Sequence, residues 1–233
     1  MRTVIGVLAV LALCGTALSV KASNEVQLHK AADVLSEIMR TPDKGIPADL
    51  LGKSVCVGVV PSEIKAAFIF GGTYGRGVLV CRKHGDGGWG APSMFTLGGA
   101  NVGFQIGGKA TDVVFLVMNP EGVKKLLQDK VTLGAEVSAA AGPVGRTAEG
   151  ATDAQLHAEI LSYSRARGLF AGVSLDGAVL KQDTGDNERM YGHKVDPKDI
   201  LIRGTVESPA EAQRLDDLLT RYAPRGGAPV PEA

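Results

Sequence analysis

Several short motifs approach known catalytic or nucleotide-binding patterns, and each lacks a residue that the chemistry requires. Residues 103–109 place a lysine after a glycine-rich turn, as in a phosphate-binding loop, but Ala110 stands where a Ser or Thr hydroxyl would hold Mg²⁺. His157 and Glu159 open a zinc deaminase pattern that no Pro-Cys-x-x-Cys completes. The sequence therefore predicts no enzyme, no nucleotide, no metal and no cofactor. A hydrolase with an unrecognised site is the weakest alternative, because sequence spacing does not reveal a catalytic triad.

Basic residues beside glycine-rich turns indicate a different chemistry, the binding of an anion. Arg76, Arg82 and Lys83 surround one such turn, and Arg165 and Arg167 flank another. Glycine allows backbone amides to approach an anion closely, and each basic residue near an anionic membrane contributes about 1 kcal/mol of binding. The alternative is that each residue is a solvated strand end, since nothing in the sequence places these clusters on one face.

The composition restricts the partners of such a surface. Among 233 residues, 25 Lys and Arg balance 25 Asp and Glu, so the chain lacks the strongly basic character of a nucleic-acid-binding domain. Its hydrophobic fraction of 45% is typical of a globular protein with a packed core. We therefore expect an anionic phospholipid or a protein partner, and no nucleic acid.

Residues 1–22 have the pattern of a secretory signal peptide. Arg2 precedes an apolar run that ends at Leu13, and Ala22 provides a cleavage position. The apolar run is shorter than the roughly 20 residues of a membrane-spanning helix. We expect export to the periplasm or secretion. An uncleaved anchor and a lipoprotein modified at Cys14 are the less favoured alternatives.

Removal of that segment leaves two cysteines, Cys56 and Cys81, in an oxidising compartment. Both lie in apolar, strand-like runs. A disulfide requires Cα atoms within about 7 Å, and in a simple meander of three strands these two runs lie two strands apart. A disulfide between them and a pair of buried free thiols are both compatible with the sequence.

The elements that must position these residues change type along the chain. Apolar residues recur at helical spacing from Val26 to Met39, which predicts an amphipathic helix of about four turns. From Val55 onward, short β-branched runs alternate with glycine clusters, as in an antiparallel sheet. Asn119, followed by proline, opens another helix. We predict a single α+β domain with a curled or sandwiched, mainly antiparallel, glycine-rich β core and helices packed at both ends.

The predicted segments follow from these patterns. They are a signal peptide at 1–22, a domain at 23–204, a C-terminal helix packed on it at 205–225 and a disordered tail at 226–233. The C-terminal helix is indicated by a capping box at Ser208, and the tail by its Gly and Pro content. Within the domain, a further strand is predicted over 131–141.

Glycine-rich blocks in the domain resemble the SYLF domain family. The blocks are KAAFIFGGTYGRGVL at 65–79, GWGAPS at 88–93, GFQIGG at 103–108, AAGPVGR at 140–146 and AEILSYSRARGLFAGVSLDG at 158–177. They come in the family's order and cover most of the chain between about residues 31 and 204. The combination is specific, although no single glycine motif is.

The resemblance implies a non-catalytic lipid-binding module. Eukaryotic members associate with phosphoinositide membranes and some with actin filaments, whereas exported bacterial-type members are regarded as lipid-binding proteins. The family's membrane contact has been linked to an N-terminal amphipathic helix, which here carries acidic as well as basic residues. An exported protein does not meet actin, so actin binding is not expected.

We therefore predict that the chain recognises anionic phospholipid membranes through basic residues on glycine-rich turns. The expected lipid-contacting residues are Arg76, Arg82, Lys83, Lys65, Arg165 and Arg167. The alternative from another class is a structural or protein-interaction module of the cell envelope that binds no lipid.

Overall fold

The structure, a computed structural model, describes residues 23–41, 45–68, 70–83, 88–101, 109–145, 152, 155, 157–166 and 169–224. Within these residues the strands are β1 (Cys56–Phe68), β2 (Phe70–Cys81), β3 (Ser93–Asn101), β4 (Lys109–Val117), β5 (Val131–Thr132), β6 (Ala139–Ala141), β7 (Ile160–Ala166), β8 (Leu169–Gly172) and β9 (Val179–Gln182). The α-helices are α1 (23–39), α2 (Ala48–Lys53), α3 (Pro120–Leu126), α4 (Thr184–Tyr191) and α5 (Gln213–Tyr222). A π-helical turn spans Asp199–Arg203, and a 3₁₀ turn spans Ala210–Ala212.

The strands form one sheet in the order β5-β9-β3-β2-β1-β4-β7-β6, and β8 pairs with β7. Each described strand pair is antiparallel except β6 with β7. The sheet is curled, and helices pack on it from the N-terminal and C-terminal parts of the chain. The predicted α+β class and the mainly antiparallel sheet are confirmed.

Both faces of the sheet are buried, which explains why the central strands are apolar at successive positions rather than at alternate ones. On one face, Val57 and Val59 pack in a cluster with residues of α1, α2 and α5. On the opposite face, Cys56 and Val60 pack with residues of α3 and of the π-helical turn. The resulting three layers place the core on both sides of β1, β2 and β4.

Two glycines in the central strands leave room for aromatic rings. A Cβ at Gly58 would lie 2.1 Å from the ring of Phe115, and one at Gly77 would lie 2.3 Å from the ring of Phe95. These two rings contact each other edge to face, with centroids 5.5 Å apart. Glycine therefore serves here as a packing residue inside strands, and not only as a turn residue.

Strand β1 is longer than the sequence predicted. The apolar run 55–60 and most of the next run, 66–70, were predicted as separate strands, but β1 is one strand with a bulge. The register with β2 shifts between Val59 and Ile64, and that with β4 shifts between Val60 and Glu63. Pro61, which has no amide to donate, lies in this irregular stretch, and Ser62 has a φ of 57°. The predicted break in the sheet is therefore a bend within a continuous strand.

The long hairpin settles the state of the two cysteines. Cys56 and Cys81 are cross-strand partners in β1 and β2, and their Sγ atoms form a disulfide. Their Cα atoms are 4.0 Å apart. The expectation that their strands lie two apart was wrong, because the intervening run belongs to the same strand as Cys56.

Two other local predictions have different outcomes. Asn119 caps α3, its side-chain oxygen accepting a hydrogen bond from the amide of Gly122 at 2.8 Å, as predicted. The strand predicted over 131–141 is instead the two short strands β5 and β6, separated by a turn in which Gly134 has a φ of 82°. That backbone conformation is incompatible with a continuous strand.

Candidate functional site

Arg76, the first of the predicted lipid-contacting residues, lies between three elements and is already bound to a carboxylate. Its guanidinium forms an ion pair with Asp186 of α4 and donates hydrogen bonds to the Ser23 hydroxyl at 3.0 Å and to Asn24 Oδ1 at 2.8 Å. Asp186 has a side chain only 4% exposed and also binds Arg189. Arg76 therefore connects β2 to α1 and α4.

Arg165 of β7, like Arg76, is bound to carboxylates and connects the sheet to α1. Its guanidinium forms ion pairs with Glu37 of α1 and with Asp112 of β4, the latter at 2.5 Å, and its Cζ lies 6.0 Å from the centroid of the Phe170 ring. Asp112 in turn accepts a hydrogen bond from the amide of Ser62 at 2.8 Å. Arg167, predicted with it, lies outside the described residues.

These contacts form a polar row across one face of the sheet, which we define as Arg76, Ser62, Asp112 and Arg165. The register places Arg76 and Asp112 on either side of the β1 bulge and Arg165 next to Asp112. Helix α1 crosses the sheet here, with Ser23 and Asn24 at Arg76 and Glu37 at Arg165. The polar row therefore attaches α1 to the sheet.

Arg82, which was predicted to contact lipid, is instead buried. Its side chain is 1% exposed and donates hydrogen bonds to the carbonyl oxygens of Ser54 at 2.9 Å and Gly52 at 3.0 Å, and to those of Ala223 and Pro224 at 3.3 Å each. Its guanidinium also lies 4.4 Å from the centroid of the Trp89 ring. Burial lowers the pKa of this guanidinium. A side chain enclosed in this way cannot reach a lipid head group.

The predicted residues that the structure describes are not grouped at one place on the sheet. Lys83 is exposed beside Arg82. Burial raises the pKa of the Asp216 carboxyl, and the nearby charge of Lys83 offsets part of that increase. Lys65, of which the structure describes the backbone, is the cross-strand partner of Thr73 toward the opposite end of β2. Along the strand, nine residues separate Thr73 from Arg82, or about 30 Å. The predicted cluster is therefore divided between the two ends of the sheet.

At the end that carries Lys65, four neighbouring strands extend beyond the polar row. We call this end the sheet tip and define it as residues 64–68, 70–74, 98–101 and 109–110. Cross-strand partners here include Ile64 with Tyr74 and Gly71 with Asn101. Tyr74, 55% exposed, is one of the large apolar side chains of the described region that face solvent.

The charge pattern of the sheet tip is the signal that the sequence prediction missed. Between positions 64 and 75 and between 97 and 111, the only charged residues are Lys65 and Lys109. The register makes these two lysines cross-strand partners in β1 and β4. In the sequence, Lys109 resembles the end of an incomplete phosphate-binding loop. Its pairing with Lys65 could not be predicted, because it depends on the order of the strands.

The N-terminal amphipathic helix, which the family resemblance suggested as a membrane contact, uses its apolar face inside the fold. Leu28, Leu35 and Ile38 of α1 are at most 1% exposed and belong to the core cluster on the sheet. Membrane insertion of α1 by that face would require its removal from the core. In the described part of the chain, no helix is long and apolar enough to cross a bilayer.

The described region also contains a groove of about 500 Å³ next to α4. It is lined by residues that include Leu127 and the exposed, oppositely charged side chains of Asp129, Lys194, Asp196 and Lys198. This open, mixed-charge groove differs from the enclosed pocket that a hydrolase site would need. Among the described residues, no three His, Cys, Asp or Glu side chains are grouped so that they could hold a metal ion.

Comparison with known proteins identifies the fold's relatives. The family model described as "Ysc84: Las17-binding protein actin regulator" matches residues 98–222, more than half of the chain. The chain is 34% identical over 213 residues to LAS seventeen-binding protein 3 of Saccharomyces cerevisiae, covering 86% of this chain and 46% of that protein. It is also 34% identical over 202 residues to SH3 domain-containing YSC84-like protein 1 of Homo sapiens, covering 84% and 58%.

The chain thus spans about half the length of these curated relatives, of which the yeast protein is named as a binding protein. The matched region begins within β3 and includes β4 and every later element as far as α5. Together with the glycine-rich blocks found in the family's order, this match shows that the chain belongs to the Ysc84 family, that of the SYLF domain.

Proposed function

We propose that this chain is a non-catalytic module that binds anionic phospholipid membranes through the sheet tip. The observation that carries the proposal is the pairing of Lys65 with Lys109 in a strand end that contains no acidic residue. Two like charges directly opposite each other destabilise a sheet, and an anion bound between them removes that repulsion. A phosphate head group supplies such an anion.

The expected strength of this attraction is modest and depends on salt. Each lysine near an anionic membrane surface contributes about 1 kcal/mol, so the pair contributes about 2 kcal/mol, or roughly 30-fold in affinity. Surface charges are screened over about 8 Å at physiological ionic strength. Binding should therefore weaken as salt increases.

The proposal changes the role of the predicted arginines. Arg76 and Arg165 are bound to carboxylates and support the base of the sheet tip, whereas Lys65 keeps its predicted role in lipid contact. Lys109 joins it. Lys83 lies toward the other end of the sheet and has no part in the proposed contact.

We also propose that the chain is exported by the signal peptide at residues 1–22. These residues lie outside the described part of the chain. The Cys56–Cys81 disulfide supports this, because disulfides persist mainly in oxidising compartments. Export to the periplasm or secretion brings the sheet tip to a membrane surface from outside the cytosol.

A second candidate is a protein-interaction module. It is favoured by the separation of the predicted basic residues, by the description of the family as Las17-binding, and by the name of the yeast relative, LAS seventeen-binding protein 3. An apolar strand end such as the sheet tip can also bind a protein. The two candidates differ in whether the purified chain binds lipid without another protein.

Flotation with vesicles tests the proposal. The purified chain is mixed with phosphatidylcholine vesicles or with vesicles that also contain phosphatidylglycerol, across a series of NaCl concentrations. We expect binding to the anionic vesicles that decreases with salt, and roughly 30-fold weaker binding for Lys65→Ala/Lys109→Ala. Absence of binding by the unmodified chain would support the protein-interaction candidate.

The matched control removes two positive charges elsewhere. Lys53, at the end of α2 next to the start of β1, and Lys198, beside the π-helical turn, are both exposed. Lys53→Ala/Lys198→Ala has the same net charge as the sheet-tip variant and should bind nearly as the unmodified chain does. Equal losses in the two variants would show that net charge alone, and not the sheet tip, determines binding.

A further inference from the structure

We infer that the groove next to α4 binds an extended peptide segment that carries both acidic and basic side chains. This groove, of about 500 Å³, lies between residues 127–129, the C-terminal end of β9 and residues 194–198, and we call it the α4 groove. Peptide binding here is independent of the proposed lipid contact, which involves another part of the molecule.

Hydrogen bonds fix the floor and one wall of the α4 groove. The side chain of Gln182 donates to the carbonyl oxygen of Leu126 at 2.9 Å, which attaches the end of β9 to the end of α3. On the facing wall, Asp196 Oδ1 accepts a hydrogen bond from the amide of Lys198 at 2.8 Å. A groove that is already formed in the free protein loses little affinity to the ordering of its walls.

The end of β9 presents a main-chain donor and acceptor to this groove. The amide of Asp183 donates to the carbonyl of Met94 in β3 at 2.9 Å, so the main-chain groups of Gln182 point to the opposite side of β9. On that side, β5 pairs with β9 at Val179 and Leu180 and, among the described residues, no strand pairs with Gln182. Gln182 is 7% exposed. Since buried main-chain groups are nearly always paired, this position favours a ligand that has main-chain groups of its own.

The charged side chains of the α4 groove lack ion-pair partners. They are Asp129 on one wall and Lys194, Asp196 and Lys198 on the other, and all four are exposed. Within the part of the chain that the structure describes, none of them forms a salt bridge. Two unpaired charges of each sign in one groove are complementary to a ligand that also carries both signs.

A peptide matches this combination better than a lipid head group does. An extended peptide has an edge of N–H and C=O groups that can pair with a strand, and its side chains lie beside that edge. A zwitterionic head group carries both charges but has no such edge. Gln182 pairs with Phe95, which lies six residues before Asn101 of the sheet tip, or about 20 Å along β3. A chain bound to a membrane by the sheet tip therefore leaves the α4 groove in water.

The extent of the groove determines the kind of peptide contact. Strand β9 ends at Gln182 and α4 begins at Thr184, so main-chain pairing involves one residue of β9. Half-buried Leu127, Val195 and Pro197 also line the groove and add apolar contact. The ligand is thus a short segment, and we expect the modest affinity of a transient interaction.

Selection from a random heptapeptide library displayed on phage tests peptide binding. Peptides are selected on the purified chain, and their affinities are measured by fluorescence polarisation. We expect the enriched peptides to contain both acidic and basic residues. Lys194→Glu/Lys198→Glu should weaken their binding at least about tenfold, because attraction becomes repulsion. Replacement of the acidic residues of a selected peptide by lysine should restore its binding to this variant.

The matched control reverses two charges on the other side of the sheet. Lys30 of α1 and Lys53 of α2 are exposed, and their helices pack on the face of the sheet opposite to α3 and the π-helical turn. Lys30→Glu/Lys53→Glu has the same net charge as the groove variant and should bind the selected peptides nearly as the unmodified chain does. If both variants lose affinity to the same extent, the α4 groove is not the binding site.

Amide hydrogen exchange tests the main-chain pairing separately from charge. In the free chain we expect the Gln182 amide to exchange faster than the Asp183 amide, which is bound to Met94. With a saturating selected peptide, exchange at Gln182 should slow at least about tenfold, whereas exchange at Asp183 should not change. This measurement uses the unmodified chain, so it remains decisive if the charge-reversal variant does not fold.

The outcomes separate peptide binding from lipid binding. A selection that yields no peptide dependent on Lys194 and Lys198 overturns the inference, and so does unchanged exchange at Gln182 with peptide bound. Displacement of the peptide by phosphatidylethanolamine vesicles would assign the groove to a zwitterionic lipid instead. If the chain binds peptides in the α4 groove but no anionic vesicles, the inference holds and the proposed lipid function is wrong.

Discussion

Arg76, Arg165 and Glu159 each join elements that are distant in sequence. Arg76 pairs with Asp186, 110 residues away, and Arg165 pairs with Glu37, 128 residues away. Glu159 accepts hydrogen bonds from Lys125 of α3 at 2.8 Å, and from the Ser138 amide and hydroxyl at 2.8 and 3.1 Å. At the residue scale, charged side chains hold the layers together because each has an oppositely charged or polar partner.

The contacts of Glu159 predict how stability depends on pH. Burial raises the pKa of its carboxyl, but the hydrogen bonds from Lys125 and Ser138 outweigh that effect, so the pKa is lowered. A lowered folded-state pKa contributes stability above the unfolded value of about 4.3, and this stability is lost as pH falls through the folded-state value. Glu159→Gln should therefore lose about 1 kcal/mol at pH 7 and almost nothing at strongly acid pH.

Urea unfolding between neutral and acid pH measures this difference. Glu121→Gln is the control, because Glu121 pairs with Lys124 on the surface, where ion pairs contribute less than about 1 kcal/mol. A difference between Glu159→Gln and the unmodified chain that stays constant down to acid pH would contradict the role assigned to the charged carboxylate.

At the scale of elements, the bulge in β1 determines where the sheet tip begins. Ser62 has a φ of 57°, a left-handed conformation that costs a non-glycine residue about 1–2 kcal/mol, and Asp112 holds its amide. The bulge lies where α1 crosses the sheet, between Arg76 and Arg165. The bend therefore separates the part of the hairpin that is covered by α1 from the part that extends beyond it.

Substitutions at Ser62 test whether this residue has the left-handed conformation. We expect Ser62→Gly to stabilise the fold by about 0.5 kcal/mol, because relief of the left-handed conformation slightly exceeds the entropy cost of glycine. Ser62→Val should destabilise it by at least about 1 kcal/mol, since a β-branched residue resists this conformation. Thermal and urea unfolding measure both.

The same two substitutions at an ordinary strand position serve as the control. Thr96 of β3 is half-buried and pairs with Arg76 and Lys181. There the order should reverse, with Thr96→Gly less stable than Thr96→Val, because extended backbone favours β-branched residues. The same order at both positions would show that Ser62 is not in the left-handed conformation.

At the scale of the whole molecule, Arg82 joins the end of α2 to the C-terminal end of the described chain. Its guanidinium binds carbonyl oxygens after α2 and after α5, and the Trp89 indole donates to the carbonyl of Ala223 at 3.1 Å. A cation at two helix C-termini is favourable, because each terminus presents unpaired carbonyl groups. The sheet tip and these contacts of Arg82 and Trp89 lie at opposite ends of the sheet.

Replacement of Arg82 should therefore affect the fold and spare the lipid surface. We expect Arg82→Met to lose about 3 kcal/mol of unfolding free energy, because buried carbonyl groups lose a charged donor. Flotation of the folded variant with anionic vesicles should be unchanged. Arg203→Met, which removes an exposed guanidinium paired with Asp199, is the control and should lose less than about 1 kcal/mol. Loss of vesicle binding by the folded Arg82→Met variant would contradict the exclusion of Arg82 from the lipid-contacting residues.

Local patterns in the sequence determined much of the secondary structure and the family. The helical spacing from Val26 to Met39 predicted α1, and the Asn119 cap predicted the start of α3, since both depend on neighbours within a few residues. The glycine-rich blocks indicated the SYLF family in the same way. The continuous β1 was missed because a bulge at Pro61 and Ser62 resembles a turn in sequence.

Only the tertiary structure decided which basic residues are available for a ligand. Arg76, Arg82 and Lys83 look alike in sequence, but the first is paired with Asp186, the second is buried, and the third is exposed. Lys65 and Lys109 are 44 positions apart and become neighbours through the order of β1 and β4. Strand order and ion pairs are long-range contacts that local periodicity does not encode, because they depend on how separate segments pack.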